Sequence, residues 1–364
     1  MAKRIFHIIS RLDVGGAERV AMSIAASQST DMEHHIVEVM RGNSVFTQSL
    51  IAELQQKGIP LHRALLPVLF HWHYLAERVL AFLFPIRMLW LWARYKPDVI
   101  HTHTEIPDIA VWLTMSLFRF SDIKVVRTIH NTRLWSGMNI IGPRVERFMQ
   151  RHNANIAISR NVQKAYSEAY GTMPPIIYNG VTSAEQKPYE GVISEKVNVC
   201  FAGRFEQQKG ISTLCEIVNI LKDDARYHFH VIGSGRLQPL VDSISALPNV
   251  TVCPPVHNIA AYMQSFDYLI MPSEHEGLSI LALEASFNGL PVMINSCDGL
   301  TDTLPPDWPL KVHGNDIREW RRLFDDVLPK ADRHTLTLKA AAWVNDRFSV
   351  SRMQEEYESF YGRI

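Results

Sequence analysis

The sequence predicts an α/β protein made of two doubly wound parallel-sheet domains. Short β-branched or apolar runs alternate with helical periods through both halves of the chain, the pattern of parallel sheets covered on both faces. A polar segment with proline and glycine, Thr182–Lys196, separates the halves and reads as a linker. Most glycine-bearing motifs follow predicted strands, where ligands of such sheets bind. At 364 residues the chain is long for one core, and its length favours two domains. The domains are placed at 1–182 and 195–345 and are expected to face each other across a cleft, with a last helix over about 346–364 crossing back to the first.

In chain order, Ile5–Ser10 is the first predicted strand. It begins like a signal peptide, but its apolar run is short and glycines and charges follow at once, so no export signal is read. Further strands are predicted at Ile36–Met40, Val99–His103, Lys124–His130 and Asn155–Ser159, then at Asn198–Ala202, Tyr227–Ile232, Val250–Cys253, Tyr268–Met271 and Pro291–Asn295. Helical periodicity marks, among others, Ala17–Ser27, Thr47–Lys57, Ser212–Lys222 and Ile259–Gln264. The stretch Leu65–Tyr95, rich in tryptophan and phenylalanine, is interrupted by His71, His73, Glu77, Arg78, Pro85 and Arg87, too often to span a bilayer. It reads either as a pair of buried helices or as an amphipathic surface in the membrane interface.

Composition narrows the function. Hydrophobic residues make up 47% and charged residues 20%, ordinary values for a folded soluble protein. Lysine plus arginine equals aspartate plus glutamate at 37 each, so no global field draws nucleic acid. The four cysteines contain no CxxC pair, which argues against a disulfide framework or zinc site and fits a reducing cytoplasm. A GxSxG elbow and a GxxxxGK[ST] loop are both missing, so acyl hydrolysis and NTP hydrolysis are disfavoured.

Four motifs carry chemistry. Asp13 to Arg19 holds Gly15 and Gly16 before a helix start, where backbone approaches a ligand and N–H groups are free. It lacks the third glycine of a dinucleotide fingerprint and is otherwise a tight strand–helix turn. Ala202 to Gly210 places Arg204 and Lys209 on one loop, a fork and a point charge suited to a diphosphate; the plainer reading is a solvated basic loop balanced by Glu206. Ile232-Gly233-Ser234-Gly235 adds a weaker glycine turn. Most informative is Pro272 to Val292, which sets Glu276 and Glu284 on either side of a glycine turn and a helix start near Leu278. Among the 16 histidines, His130 at a strand end is best placed to meet a sugar hydroxyl. His101 and His103, with Glu105 just beyond, share a strand face and favour strand-end hydrogen bonding over metal binding. His34/His35, His71/His73 and His228/His230 read as surface or core residues.

Taken in order, Gly15-Gly16-Ala17-Glu18, His101-Thr102-His103, Thr128-Ile129-His130, Asn179-Gly180-Val181, Gly203-Arg204 with Lys209-Gly210, and Glu276-Gly277 through Glu284-Ala285 resemble a family 4 retaining glycosyltransferase of GT-B architecture, from about residue 3 to 362. Glu276 and Glu284 match that family's EX7E signature. The resemblance implies that Arg204 and Lys209 hold the donor diphosphate and that Glu284 binds the ribose hydroxyls. Glu276 would contact the donor sugar, with backbone N–H groups around Gly277, Leu278 and Ser279 near the sugar and phosphates. His130 would lie beside the reacting sugar, Gly15 and Gly16 would line the cleft, and Asn179 would sit where the chain leaves the first domain. It implies a nucleotide-sugar donor (a UDP-sugar favoured), a lipid-linked or glycan acceptor of a surface polysaccharide, and neither cofactor nor metal. A cytoplasmic protein, peripheral on the inner face of the membrane, is expected. Departures from the family pattern are Asn131, Pro254-Pro255-Val256 in the loop that often helps hold the base, and Ser296 to Asp302 where a Gly-Gly turn and a glutamate are usual. Two other functions remain: a sugar-nucleotide epimerase of the same architecture, and a non-catalytic nucleotide- or glycan-binding scaffold.

Overall fold

Among the residues described, two six-stranded parallel sheets form, one in each half of the chain. A computed structural model describes all residues except Met1, Val14, Val45, 66–72, Arg119, Ser121 and His257, and the side chains of 73–79. His71 and the His73 side chain, read as surface or core, therefore lie outside the described residues. The chain divides into one unit of Met1–Gly180 with Val350–Ile364 and another of Val181–Ser349.

The first sheet contains β1 (Lys3–Ile9), β2 (Met32–Glu38), β3 (Leu61–His62), β4 (Val99–Thr102), β5 (Lys124–Ile129) and β6 (Asn155–Ala157), in the order β3-β2-β1-β4-β5-β6. The second contains β7 (Val197–Arg204), β8 (Tyr227–Ser234), β9 (Val250–Cys253), β10 (Tyr268–Met271), β11 (Val292–Asn295) and β12 (Lys311–Val312), in the order β12-β11-β10-β7-β8-β9. Strand order reverses between β1 and β4 in one sheet and between β7 and β10 in the other. Those reversals open the crevices where ligands of doubly wound sheets bind.

Both faces of each sheet are buried, which is why the strands read as near-continuous apolar runs. In the first unit Phe6, Ile8 and Ile100 pack on one face with Phe84 and Met88. Ile5, Val99 and Val126 point to the other face, where Val20, Ile24 and Met353, Tyr357 and Tyr361 of the C-terminal helix Val350–Arg363 cover them. The second unit has one core, in which Val199, Phe201, Phe229, Leu269 and Ile294 all take part. Residues 184–189 are bound to that unit: Ala184 N donates to Asn288 Oδ1 at 2.8 Å and Lys187 N to the Ala261 carbonyl at 2.7 Å.

Three expectations change. β3 and β12 escape the sequence pattern because two residues show no periodicity. The segment Ile259–Ser265 is a 3₁₀ helix entered from Asn258, whose φ is +52°. The described part of 65–95 is a single helix, His73–Tyr95, with Pro85 inside it. It buries Ala81, Phe84, Met88 and Leu91 against the unit and exposes other apolar residues, so it is neither a pair of helices nor fully buried. No helix among the described residues is long and apolar enough to cross a membrane.

Candidate active site

The loops after β7 and β10 lie side by side at the reversal of strand order in the second unit, and they carry the charged motifs. Glu274 N donates to the Gln208 carbonyl at 2.9 Å, and Gln208 Nε2 donates to the His275 carbonyl at 3.2 Å. Gly210 permits this approach. Its φ is +70°, and a Cβ there would lie 1.8 Å from the Pro272 carbonyl oxygen, so a side chain is excluded by conformation and by contact. From below, Asn295 Nδ2 donates to the Ser273 carbonyl at 2.9 Å and Asn315 Nδ2 to the Pro272 carbonyl at 2.8 Å. Asn315 N in turn donates to Asn295 Oδ1 at 2.9 Å, tying the two supports together.

This scaffold brings Lys209 and Glu276 together. Lys209 Nζ donates to Glu276 Oε1 at 2.6 Å, and Ser273 Oγ donates to the same oxygen at 2.9 Å. The Glu276 side chain is 8% exposed and that of Lys209 21%. Such a charged contact is stronger than one in open water, because solvent screens it less. Arg204, at the end of β7, is exposed and forms no ion pair among the described residues. Glu206 pairs with Arg236 at 3.2 Å instead, so it does not neutralise the two cations of its own loop.

The helix Ile280–Phe287 begins two residues beyond Leu278 because Ser279 is its N-cap, its Oγ accepting from Ala282 N. The Ser279 N–H donates to the Gly299 carbonyl at 3.1 Å and the Glu276 N–H to that of Asp298 at 3.0 Å. Leu278 is buried and Gly277 partly exposed. Glu284 is half-buried on the second turn of the helix. Cys297 is held neutral: burial pushes its thiol up to about 12, and the Glu276 and Asp298 charges add to the effect, so no thiolate nucleophile forms there. A cation paired with a carboxylate, a second cation at the end of the preceding strand and a second carboxylate on the following helix suit a ligand that is anionic at one part and rich in hydroxyls at others.

Gly15, Gly16, His130 and Asn179 belong to the first unit. Gly15 caps the helix Gly16–Ala25, and a Cβ there would lie 2.0 Å from a Glu18 carboxylate oxygen. Gly16 is exposed, with open space where a side chain would stand. His130 follows β5 and lines a small pocket with His103, Thr104, Glu105, Asp108 and Asn131. Its Nε2 is buried without a partner among the described residues, and burial lowers its pKa to about 4, so at neutral pH it is an uncharged imidazole. Asn179 is buried, and its Oδ1 lacks a partner among the described residues.

Beneath this pocket His34, His7 and His103 form a row. His7 Nε2 meets His34 Nδ1 at 2.9 Å and His7 Nδ1 meets His103 Nε2 at 3.1 Å. The ring nitrogens of His7, His101 and His103 lie within 4.8 Å of one another. Those of His101 are taken by Tyr361 Oη at 2.6 Å and Thr128 Oγ1 at 2.7 Å, so a metal there would have to break bonds already made. His34, His35, His228 and His230 are all core residues.

Two family descriptions fit the chain, "Glycosyltransferase Family 4" over residues 14–185 and "Glycosyl transferases group 1" over residues 196–322. The chain belongs to the family 4 glycosyltransferases. A 41.2 kDa protein of the cps region of Klebsiella pneumoniae is 28% identical to this family 4 chain over 233 residues, or 57% of this chain and 63% of that protein. The match thus spans less than two thirds of that relative. The capsular polysaccharide biosynthesis glycosyltransferase CapH of Staphylococcus aureus is 23% identical over 78% of each chain. Anabaena HepE, solved in complex with UDP and glucose, shares the fold with a TM-score of 0.76 at 18% identity, over 99% of both chains. The fold is GT-B.

Sequence reasoning about this glycosyltransferase missed the supports Asn295 and Asn315. It also missed a buried cluster in the first unit, where Arg127 donates to both Glu146 oxygens at 3.0 and 2.7 Å and Trp135 Nε1 to Glu146 at 2.9 Å. No short spacing links these residues. Only an arginine inside the apolar run of β5 hinted that a buried acid awaits it.

Proposed function

We propose that the protein is a retaining, metal-independent glycosyltransferase. It moves a hexose or N-acetylhexosamine from a nucleotide-sugar, a UDP-sugar by preference, to a lipid-linked or glycan acceptor in the synthesis of a surface polysaccharide such as capsule or O-antigen. The observation that carries this reading is the Lys209–Glu276 pair at the β7/β10 reversal, with exposed Arg204 at the end of β7 in no ion pair among the described residues. The names of CapH and of an Escherichia coli O-antigen biosynthesis glycosyltransferase, WclY, support the pathway. HepE in complex with UDP-glucose supports the donor class.

In this mechanism Arg204 and Lys209 bind the diphosphate and stabilise the charge that grows on it as the bond to the sugar breaks. Lys209 then shares its protons between Glu276 and phosphate, which frees a Glu276 oxygen to accept from a sugar hydroxyl. Glu284 takes the ribose hydroxyls, and neutral His130 offers a hydrogen bond at the sugar. The acceptor hydroxyl attacks on the face from which the diphosphate leaves and gives its proton to a donor phosphate oxygen, so no enzyme nucleophile is required. Gly15 and Gly16 line the path of the acceptor, and Asn179 lies near it. The work is done at the inner face of the cytoplasmic membrane.

The test incubates purified protein with UDP-, GDP- and ADP-sugars, without acceptor and with chelator, and measures release of the nucleoside diphosphate. Slow release from one donor, reduced about 10²–10³-fold by Arg204→Ala, is expected. Interconversion of donor sugars in place of release would make the protein an epimerase. Neither release nor a thermal shift with any nucleotide would leave a scaffold.

A further inference from the structure

Exposed apolar side chains are concentrated on one element of the first unit. Of the 14 exposed large hydrophobic residues among those described, Phe82, Leu83, Ile86, Leu89, Trp90 and Trp92 lie on the helix His73–Tyr95. Positions 82, 86, 89 and 90 form a stripe along one side of a helix, and Ile86 and Trp90 are 71% and 60% exposed. Three more exposed residues adjoin the stripe. Ile140 shares a groove with Phe82, Leu117 one with Leu89 and Trp92, and Leu65 one with Leu83 and Trp90. The opposite side of the helix, Ala81, Phe84, Met88 and Leu91, is already buried in the unit. The stripe is therefore surplus to the core, and an apolar patch of this extent marks an interaction surface.

Charge decides what covers it. From Val79 to Lys96 the sequence has three cations, Arg87, Arg94 and Lys96, and no acid. Arg87 turns inward, its Nη2 donating to the His62 carbonyl at 2.8 Å. Arg94 and Lys96 are exposed at the end of the helix, beyond Trp90 and Trp92. Among the residues lining the three grooves, Asp122 is the one acid. Tryptophans followed by basic residues on an apolar helix suit the boundary between acyl chains and anionic headgroups. Two copies meeting through this face would bring cations to a contact nearly without acids.

We propose that this face docks on an anionic bilayer surface. The 82–92 stripe enters the boundary of the acyl region, and Arg94 and Lys96 meet the lipid phosphates. The docking rests on the lipid-linked acceptor of the reading above for its purpose, and it uses nothing of the donor site.

The experiment sediments the full chain with vesicles of phosphatidylcholine, alone or mixed with phosphatidylglycerol, and measures nucleoside diphosphate release and solution mass in parallel. Binding to the mixed vesicles is expected, weakened by salt, reduced about tenfold by Arg94→Gln with Lys96→Gln and lost in Ile86→Ser with Trp90→Ser. Donor release by these variants stays at the parent level, which also shows that they fold. Arg204→Ala keeps vesicle binding, so failure of the donor reading leaves this result untouched. A parent protein that stays in the supernatant with mixed vesicles overturns the proposal, as does equal binding by the Ile86/Trp90 variant. A dimer that the same variant dissolves, without vesicle binding, would assign the face to a second copy.

Discussion

Each unit places a polar cluster at the strand ends beside its reversal of strand order, and burial has acted on the two clusters in opposite ways. In the second unit Lys209 and Glu276 pair as ions, with Lys209 still 21% exposed and Arg204 open to solvent. In the first, His7, His101 and His103 are fully buried, and desolvation, with repulsion between neighbouring imidazoles, holds their pKa values well below the usual range. They are neutral, and their hydrogen bonds run to one another, to His34, to Thr128 and to Tyr361. A cluster that keeps charge and access can meet an anionic substrate. One that has given up charge holds its sheet to the C-terminal helix.

Acid should separate the two units most sharply. In the first, burial lowers the pKa values of His7, His34, His35, His62, His101, His103 and His130, to about 4 for His34, His62 and His130. In the second, among the described residues, only His228 and His230 are so affected. An unfolded histidine takes up its proton near pH 6.5, before the folded one does, so stability is full above that pH. Each such group then costs about 1.4 kcal/mol per pH unit as pH falls toward its folded value. Asp108 and Glu105, raised by burial, act in the opposite sense but are outnumbered. Hydrogen exchange between pH 7 and 4 should show the first unit opening before the second. Simultaneous opening would mean that the buried histidines do not set its acid stability.

Next in size is the ion cluster of the first unit. Glu146→Ala strips Arg127, 1% exposed, of its bidentate partner and leaves Trp135 Nε1 without an acceptor. A loss of about 3–5 kcal/mol in urea unfolding is expected. A loss below about 1 kcal/mol would show that Asp108, 3.5 Å away, satisfies the guanidinium alone. Glu276→Gln is the counterpart in the second unit. It keeps the shape and the Ser273 contact but removes the charge opposite Lys209. Donor turnover should fall about 10²-fold while the unfolding midpoint barely moves. The reverse outcome, a stability loss with turnover kept, would make the pair a structural ion pair.

The same contrast explains what could be read from the chain. The candidate site of the second unit was legible because two loops following adjacent strands supply its residues within short windows, 204–210 and 272–284, where residue type and spacing suggest a ligand. The sheets were legible too, since strands buried on both faces are continuous apolar runs. The first-unit network was not. His7, His34, His101, Thr128 and Tyr361 come from five separate elements, and only parallel register and a helix 14 residues long at the far end of the chain bring them together. The partner of Arg127 was hidden for the same reason. β3 and β12 were missed because edge pairing, rather than any pattern of their own, makes them strands.

The smallest effect tests how the C-terminal helix is held. Tyr361→Phe removes the hydroxyl 2.6 Å from His101 Nδ1 and leaves Thr128 on the other ring nitrogen. Tyr357→Phe removes the hydroxyl 2.7 Å from Thr128 Oγ1, which His101 still engages. The first change strands a buried imidazole nitrogen and should cost about 1–2 kcal/mol; the second leaves both His101 ring nitrogens satisfied and should cost about half as much. Differential scanning calorimetry of the two variants and the double variant measures the difference and its additivity. The shared Thr128 predicts coupling, so the double variant should lose less than the sum. Strict additivity would mean that each tyrosine contributes through packing alone. Donor turnover should be unchanged in all three, because the helix serves the neutral cluster and supplies no residue of the charged one.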